Sequence, residues 1–325
     1  MKLSETVDDL PRPRASDGLF TARALQNPKG VRVGVDASGH PGIFFEPKSH
    51  DGVRRRFVLS SITYEPDIQC QFDAEGGSRR CAVLMCTASE AAARGLFLRL
   101  AESWLPTTPP DASGAAIDDA VARLVDLFDA LVRPGRGEVL GLWGELFVIV
   151  AAEQPRELIR AWRCDPFERH DFLRSEIRLE VKTAIAMRRH QFSLEQLEPP
   201  LGTRLIVASI VTKATAQGLT VDDLRARLIA RLDDPQLAFR IDQTIATTLG
   251  DRWNETSHQR YAADLAATTL AFYDCASVPR VDCRLPPEVS QVRFSVEFDK
   301  LTPLVDPTFP GLGSLAGRRG FMNAP

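Results

Sequence analysis

Two short stretches near the middle of the chain carry residue types suited to phosphate chemistry. Asp171 follows His170, and the stretch 179–183, LEVKT, alternates apolar and charged residues. On a β-strand, residues i and i+2 point to the same face, so Glu180 and Lys182 are expected to lie side by side. A preceding strand that pairs with this one would bring Asp171 next to Glu180.

This arrangement predicts a divalent metal site. Two carboxylates with open positions suit Mg²⁺, a hard ion that binds oxygen and keeps several of its waters. The lysine beside them would offset the charge that builds up on a scissile phosphate. The alternative is a solvated ion pair between Glu180 and Lys182, worth about 0.2–1 kcal/mol. Asp165, which precedes a proline, is the alternative to Asp171 as the first acidic residue.

Glu145 is a third candidate, in a segment from 138 to 153 that is apolar nearly all round and predicts a buried helix. The residues three and four positions away are glycine and apolar residues, so an ionised Glu145 needs a partner. A water on a bound metal ion would supply one, and an arginine such as Arg178 or Arg160 is the alternative. Gly141 and Gly144 predict a close approach of this helix to the sheet, which would bring Glu145 over the strand that carries Glu180.

Three basic residues, Arg188, Arg189 and His190, follow the strand that carries Lys182. They predict a loop that contacts phosphate groups at the mouth of the site. A solvated turn is the alternative.

The motifs in their order along the chain resemble the PD-(D/E)XK nuclease superfamily. They are GLWGEL at 141–146, HDF at 170–172 and EVK at 180–182. More narrowly, GLWGEL, HDF, LEVKT and RRHQFSLEQL together resemble a bacterial family of PD-(D/E)XK proteins often found among restriction and phage-defence genes. The resemblance is strong over about residues 138 to 212.

The resemblance implies a restriction-endonuclease-like αβββαβ core with Asp171 and Glu180 as metal ligands and Lys182 as the catalytic lysine. Glu145 would be the helix glutamate that some members use at the metal. Mg²⁺ is the implied cofactor, with Mn²⁺ as a substitute, and the implied activity is that of a DNA endonuclease in restriction or phage defence. The alternative is a catalytically silent DNA-binding or assembly subunit of a defence complex. DNA and other defence proteins are the expected partners, and a homodimer stays open.

These residues must be positioned by an α/β (α+β) chain. Residues 1–110 predict a β-rich domain closed by a helix at 91–104, and the proline-rich stretch 105–113 predicts the boundary. Residues 111–325 predict the nuclease-like domain, with a core of about 117–233 and helical and β additions. The expected strands are 31–35, 43–46, 57–65, 81–86, 169–173, 177–183, 204–211, 268–275 and 289–298. The expected helices of the second domain are 117–132, 138–153, 220–232 and 235–249, and Ser193 and Gln196 predict a capping box.

Composition limits the alternatives. The chain has 325 residues, of which 44% are hydrophobic and 26% charged, the balance of an ordinary globular protein. No stretch is apolar enough to predict a membrane helix or a secretion signal, so no membrane partner is expected. Six cysteines without a C-x-x-C pair predict free thiols and a cytoplasmic location. The net charge of −3 means that any DNA contact must come from a local basic patch.

Overall fold

The computed structural model describes residues 2–14, 19–49, 55–59, 61–72, 77–109, 111–131, 135, 137–165, 168–281, 286, 288–289 and 291–313. It is a mixed α+β fold, and the chain divides into two compact units, Met1–Val132 and Arg133–Pro325. No helix within the described residues is long and apolar enough to cross a membrane.

The first unit is a β-sheet with three helices. Its strands are β1 (Leu19–Ala24), β2 (Val31–Val35), β3 (Pro41–Phe45), β4 (Phe57–Leu59), β5 (Ile62–Phe72) and β6 (Ser78–Cys86). Its helices are α1 (Leu3–Asp8), α2 (Ala91–Trp104) and α3 (Gly114–Leu131). The strand order is β1-β2-β3-β6-β5-β4, and a short parallel pairing of β1 with β5 closes the sheet on itself. Helix α2 coincides with the helix expected at 91–104. Strand β1 was not predicted, and the predicted strand 57–65 falls on the hairpin of β4 and β5.

The break between the units comes after residue 132, which differs from the predicted boundary after residue 110. The reason is the packing of α3 within the first unit. Tyr64 on β5 donates a hydrogen bond to Asp118 of α3 at 2.5 Å. The rings of Phe97 on α2 and Phe128 on α3 stack with their centres 5.9 Å apart. These contacts tie α3 to the first unit in spite of the proline-rich stretch before it.

The second unit holds the predicted site. Its helices are α4 (Val139–Ala151), α5 (Pro155–Ala161), α6 (Val221–Ala230), α7 (Pro235–Leu249) and α8 (Ala263–Thr269). Its strands are β7 (Phe172–Arg174), β8 (Ile177–Ile185), β9 (Arg189–Ser193), β10 (Arg204–Thr212), β11 (Ala214–Leu219), β12 (Ala271–Asp274) and β13 (Arg293–Glu297). The predictions of α4, α6, α7 and β8 are confirmed to within a few residues. The predicted strand at 268–275 is wrong in its first half, because α8 extends to Thr269.

The sheet of the second unit has the order β12-β10-β8-β7. Strands β8 and β10 are parallel, and β7 and β8 form an antiparallel hairpin. The β7 pairing ends at Leu179, so the following residues of β8 lie at an open edge of the sheet. Strand β9 pairs with β13 in a separate two-stranded sheet. In the αβββαβ order that the resemblance implies, the third strand would continue the sheet that the first two strands form. Here the third strand, β9, lies outside the four-stranded sheet.

Helix α4 packs against one face of β8. Leu179 and Val181 are buried in the same core cluster as the apolar residues of α4. A Cβ added to Gly144 would lie 1.8 Å from Thr183 Oγ1, so the predicted close approach of helix and sheet is confirmed there. The same expectation for Gly141 is wrong, because a Cβ at that position meets nothing within 4 Å.

Candidate active site

Strand β8 presents the two charged residues of the LEVKT stretch on one face. Glu180 is 3% exposed, and its Oε1 lies 3.0 Å from Lys182 Nζ. Val181 and Thr183 point to the opposite face, where α4 packs. The predicted strand with one apolar covered face and one charged face is therefore confirmed.

Asp171 lies directly before β7, at the open edge of β8. The antiparallel register places Phe172 opposite Leu179, so Asp171 comes next to Glu180. Its Oδ2 accepts a hydrogen bond from the main-chain N–H of Val181 at 2.8 Å. Asp171 and Glu180 are close in the sequence because a tight turn joins β7 and β8 in this hairpin. Asp165, the alternative first acidic residue, is exposed and does not line the cavity described below.

Glu145 is buried on α4, but its contacts differ from the predicted ones. Trp162 Nε1 donates to Glu145 Oε2 at 2.6 Å, and Arg163 Nη2 donates to Oε1 at 3.3 Å. Both carboxylate oxygens thus have protein donors. The suggested partners Arg178 and Arg160 are engaged elsewhere, with backbone carbonyls and with Glu157.

Arg163 links the helix glutamate to the hairpin. Its Nε lies 3.2 Å from Asp171 Oδ1, so one guanidinium contacts both Asp171 and Glu145. The Nε contact is an ion pair without hydrogen-bond alignment, because Arg163 Nε is buried and has no hydrogen-bond partner. Sequence reasoning missed Arg163. The only signal in the sequence was its position eight residues before Asp171. In the structure, the bridge between Trp162 and Phe172 brings Arg163 to the hairpin.

Gln196 joins the charged pair on β8. Its Nε2 donates to Glu180 Oε1 at 2.7 Å, and its Oε1 accepts from Lys182 Nζ at 3.1 Å. The same Oε1 accepts from the main-chain N–H of Ser193, while Ser193 Oγ accepts from the N–H of Gln196. The reciprocal bonds expected of Ser193 and Gln196 are thus present, although the residue at the N-cap of the 3₁₀ helix (Glu195–Leu197) is Leu194. The contact of Gln196 with the site was not predicted.

The buried carboxyl groups hold their protons more tightly than usual. Burial, followed by the charge of Asp171, raises the pKa of Glu145 to about 8 and that of Glu180 to about 7. Trp162 and Arg163 oppose the rise at Glu145, and Lys182 opposes it at Glu180. Burial alone would lower the pKa of Arg163, but Glu145 and Asp171 raise it above its ordinary value. The guanidinium therefore stays charged.

The basic stretch after β8 is not the phosphate-contacting loop that was predicted. Arg188 turns inward and donates to the carbonyl oxygen and the hydroxyl of Ser209 at 3.0 and 2.7 Å. His190 is 3% exposed, with its Nε2 2.6 Å from Ser209 Oγ, and burial lowers its pKa to about 3. Arg189 alone of the three is exposed, and it pairs with Glu297 at 2.5 Å. Pairing of β9 with β13 causes this inward turn.

The acidic residues of the site, together with Lys182, Arg163 and Gln196, line one cavity of about 620 Å³. Its walls include Glu145, Arg163, Asp171, Glu180, Lys182 and Gln196, with Arg189, Ile185 and Met187 among the further lining residues. The charged residues reach it from both sides of the open edge of β8. Glu145 and Arg163 come from the side of α4, and Glu180 and Lys182 come from the opposite face.

The donor set fits a hard divalent cation at two carboxylates. Glu180 Oε2 is buried and has no hydrogen-bond partner among the described residues, an arrangement that costs free energy unless a cation or water completes it. Asp171 Oδ1 has the misaligned Arg163 contact as its one partner in the part of the chain that the structure describes. Among the described residues, no group of three or more His, Cys, Asp or Glu side chains is placed to hold a metal ion. Asp171 and Glu180 therefore stay the candidate ligand pair, and the expected part of Glu145 at the metal stays a prediction.

Comparison with protein families gives one match over nearly the whole chain. A family model described as "Putative PD-(D/E)XK family member, (DUF4420)" matches residues 5–299. The match includes both compact units and every residue of the cavity named above. Neither the curated proteins nor the solved structures give a significant match.

Proposed function

Since the chain belongs to this PD-(D/E)XK family, we propose that it is a Mg²⁺-dependent DNA endonuclease that hydrolyses phosphodiester bonds. The observation that carries the proposal is the unpartnered, buried Glu180 Oε2 beside Asp171 and Lys182. The family suggests a nuclease, and this chain retains two acidic groups and a lysine at one cavity. The family that its motifs resemble is often found among restriction and phage-defence genes, and the proposal therefore includes a role in defence.

In this proposal Asp171 and Glu180 hold the metal ion. Bound Mg²⁺ supplies Lewis acidity toward a phosphodiester and toward water. The Val181 N–H fixes Asp171 at the strand edge, and Gln196 holds Glu180 and Lys182 in one orientation. Lys182 Nζ offers a positive charge to the phosphate oxygens as charge builds up on them. Arg189, which is exposed and lines the same cavity, is the remaining candidate for a DNA phosphate contact.

Glu145 has a different part from the one first expected. Both of its oxygens are engaged by Trp162 and Arg163, so it orients Arg163 and does not contribute a free ligand atom. The same network favours the second candidate, a catalytically silent subunit, because ion-pair networks also occur as plain structural elements.

A plasmid nicking assay separates the two candidates. Purified protein should relax supercoiled plasmid with Mg²⁺ and not with excess EDTA. Lys182→Ala should lower the rate roughly a hundredfold or more, because it removes a charge that acts in the transition state. Lys213→Ala is the matched control, since Lys213 is exposed in the same unit and does not line the cavity. No nicking by either protein would favour the silent subunit. Equal nicking by wild type and Lys182→Ala would mean that the activity lies elsewhere or in a contaminant and that this site assignment is wrong.

A further inference from the structure

Arg163 places a positive charge beside the acidic groups of the candidate metal site, which is unusual. It is the only arginine, among the described residues, that contacts two of the acidic groups at the cavity, Glu145 and Asp171. Its side chain is 17% exposed, and those of Glu145 and Asp171 are 6% and 10% exposed. A guanidinium so placed strongly neutralises the carboxylates that it touches, because little water screens the charges.

The backbone around Arg163 holds the guanidinium in position. Its N–H donates to the Asp171 carbonyl oxygen at 2.9 Å. The preceding carbonyl oxygen, that of Trp162, accepts from Arg240 Nη2 at 2.5 Å. The backbone of Arg163 is therefore fixed on both sides, with the guanidinium next to Asp171.

The contact of Arg163 with Asp171 is the weaker of its two. The Arg163 Nη2 bond to Glu145 has hydrogen-bond geometry, whereas the Nε contact to Asp171 does not. A divalent ion could take over Asp171 Oδ1 without breaking the anchor at Glu145. The repulsion between the ion and the guanidinium would remain.

We propose that Arg163 is an internal counter-ion, held by Glu145, that competes with the divalent ion for Asp171 and lowers the affinity of the site for metal. This inference rests on the proposed metal site of the nuclease. Glu145 is then a positioning residue that acts through Arg163. The negative charge of a phosphodiester offsets Arg163, so the metal binds more tightly when DNA is present.

Metal binding tests this directly, without any assay of cleavage. Mn²⁺ affinity is measured by calorimetry and by electron paramagnetic resonance for wild type, Arg163→Met, Arg163→Lys and Arg189→Met. We expect Arg163→Met to bind Mn²⁺ roughly 10- to 100-fold more tightly than wild type. Arg163→Lys should show a smaller increase, because one ammonium contacts both carboxylates less well than a planar guanidinium. Arg189→Met removes a charge from the same cavity wall without touching Glu145 or Asp171 and should change the affinity by less than about threefold.

A double-mutant cycle tests the role of Glu145. At a pH above about 8, where Glu145 is ionised, Glu145→Gln alone frees the charge of Arg163 and should lower the Mn²⁺ affinity several-fold. In the Arg163→Met background the same substitution should have little effect. An equal loss in both backgrounds would show that Glu145 binds the ion itself and would overturn its assignment as a positioning residue.

The outcomes separate this inference from the proposed function. Measurable Mn²⁺ binding by wild type with no gain in either Arg163 variant overturns the inference and leaves the nuclease proposal intact. Binding by neither wild type nor the Arg163 variants overturns the metal site and the inference with it. Circular dichroism and thermal melts establish folding. If Arg163→Met does not fold, Arg163→Lys decides, and an affinity no higher than that of wild type overturns the inference.

Discussion

The carboxylate of Asp171 is hydrogen-bonded to the main-chain N–H of Val181, the residue between Glu180 and Lys182. This bond holds an acidic side chain at the point where β7 stops pairing with β8. It also gives the buried Val181 N–H a partner at the open edge of the sheet, where none of the described strands supplies one. Asp171 thus has a structural part as well as its proposed part at the metal.

Two substitutions of Asp171 should separate these parts. Asp171→Ala leaves the Val181 N–H without its acceptor and should lower the free energy of unfolding by about 1–3 kcal/mol. Asp171→Asn keeps an acceptor oxygen and should be close to wild type in stability, while both variants lose Mn²⁺ binding. Urea denaturation and Mn²⁺ titration measure the two effects. Equal stability of the two variants would contradict the structural part.

The two glycines of α4 should respond differently to alanine. Gly144→Ala forces a methyl group against Thr183 Oγ1 and should destabilise the second unit by about 1–3 kcal/mol. Gly141→Ala meets open space and should be neutral or stabilising by up to about 1 kcal/mol, because alanine favours helix. Thermal melts of the pair give the comparison, and a destabilised Gly141→Ala protein would argue against the helix position described here.

The metal-free protein should lose stability as pH rises toward 8. Glu145 and Glu180 have their pKa values raised to about 8 and about 7 in the folded state, from about 4.5 in model compounds. Between those values the folded state binds more protons than the unfolded state, so the free energy of unfolding falls with rising pH. His190, with its pKa lowered to about 3, opposes this trend below about pH 6.5.

The clearest window is therefore between about pH 6.5 and 8. Urea denaturation in EDTA at several pH values across this window gives the free energy of unfolding as a function of pH. That free energy should fall less steeply with pH for Glu145→Gln than for wild type, because the variant cannot lose that proton. If the free energy of unfolding depends on pH equally in the two proteins, Glu145 is already ionised in the folded protein at neutral pH.

Gln196 should matter for turnover more than its position in a short 3₁₀ helix suggests. Gln196→Ala removes the bonds that orient Glu180 and Lys182, and we expect a 10- to 100-fold lower rate of DNA nicking at saturating Mg²⁺. Gln191→Ala is the control, since Gln191 is exposed on the neighbouring strand and lines the same cavity. A Gln196→Ala protein as active as the control would show that Glu180 and Lys182 keep their orientation without it.

The local elements around the site followed from the sequence. Alternation in LEVKT identified β8 and both of its faces, and the apolar stretch that contains Glu145 identified α4. Thr220 and Asp223 form the reciprocal cap of α6 where a helix was expected to begin. These features depend on side-chain periodicity and on hydrogen bonds between near neighbours, which a sequence displays directly.

The partners of the charged residues were decided only by the tertiary structure. Arg163 meets Glu145 from 18 residues away, and Gln196 meets Glu180 from 16 residues away. Arg189 pairs with Glu297 across 108 residues, and the strand pairing behind that contact turns Arg188 and His190 inward. Periodicity shows which face of a strand is charged, but it does not show which distant segment packs against that face. That choice depends on how the whole chain buries its apolar surface, so the sequence determined the acidic pair and the lysine, and the fold determined which cations and amides surround them.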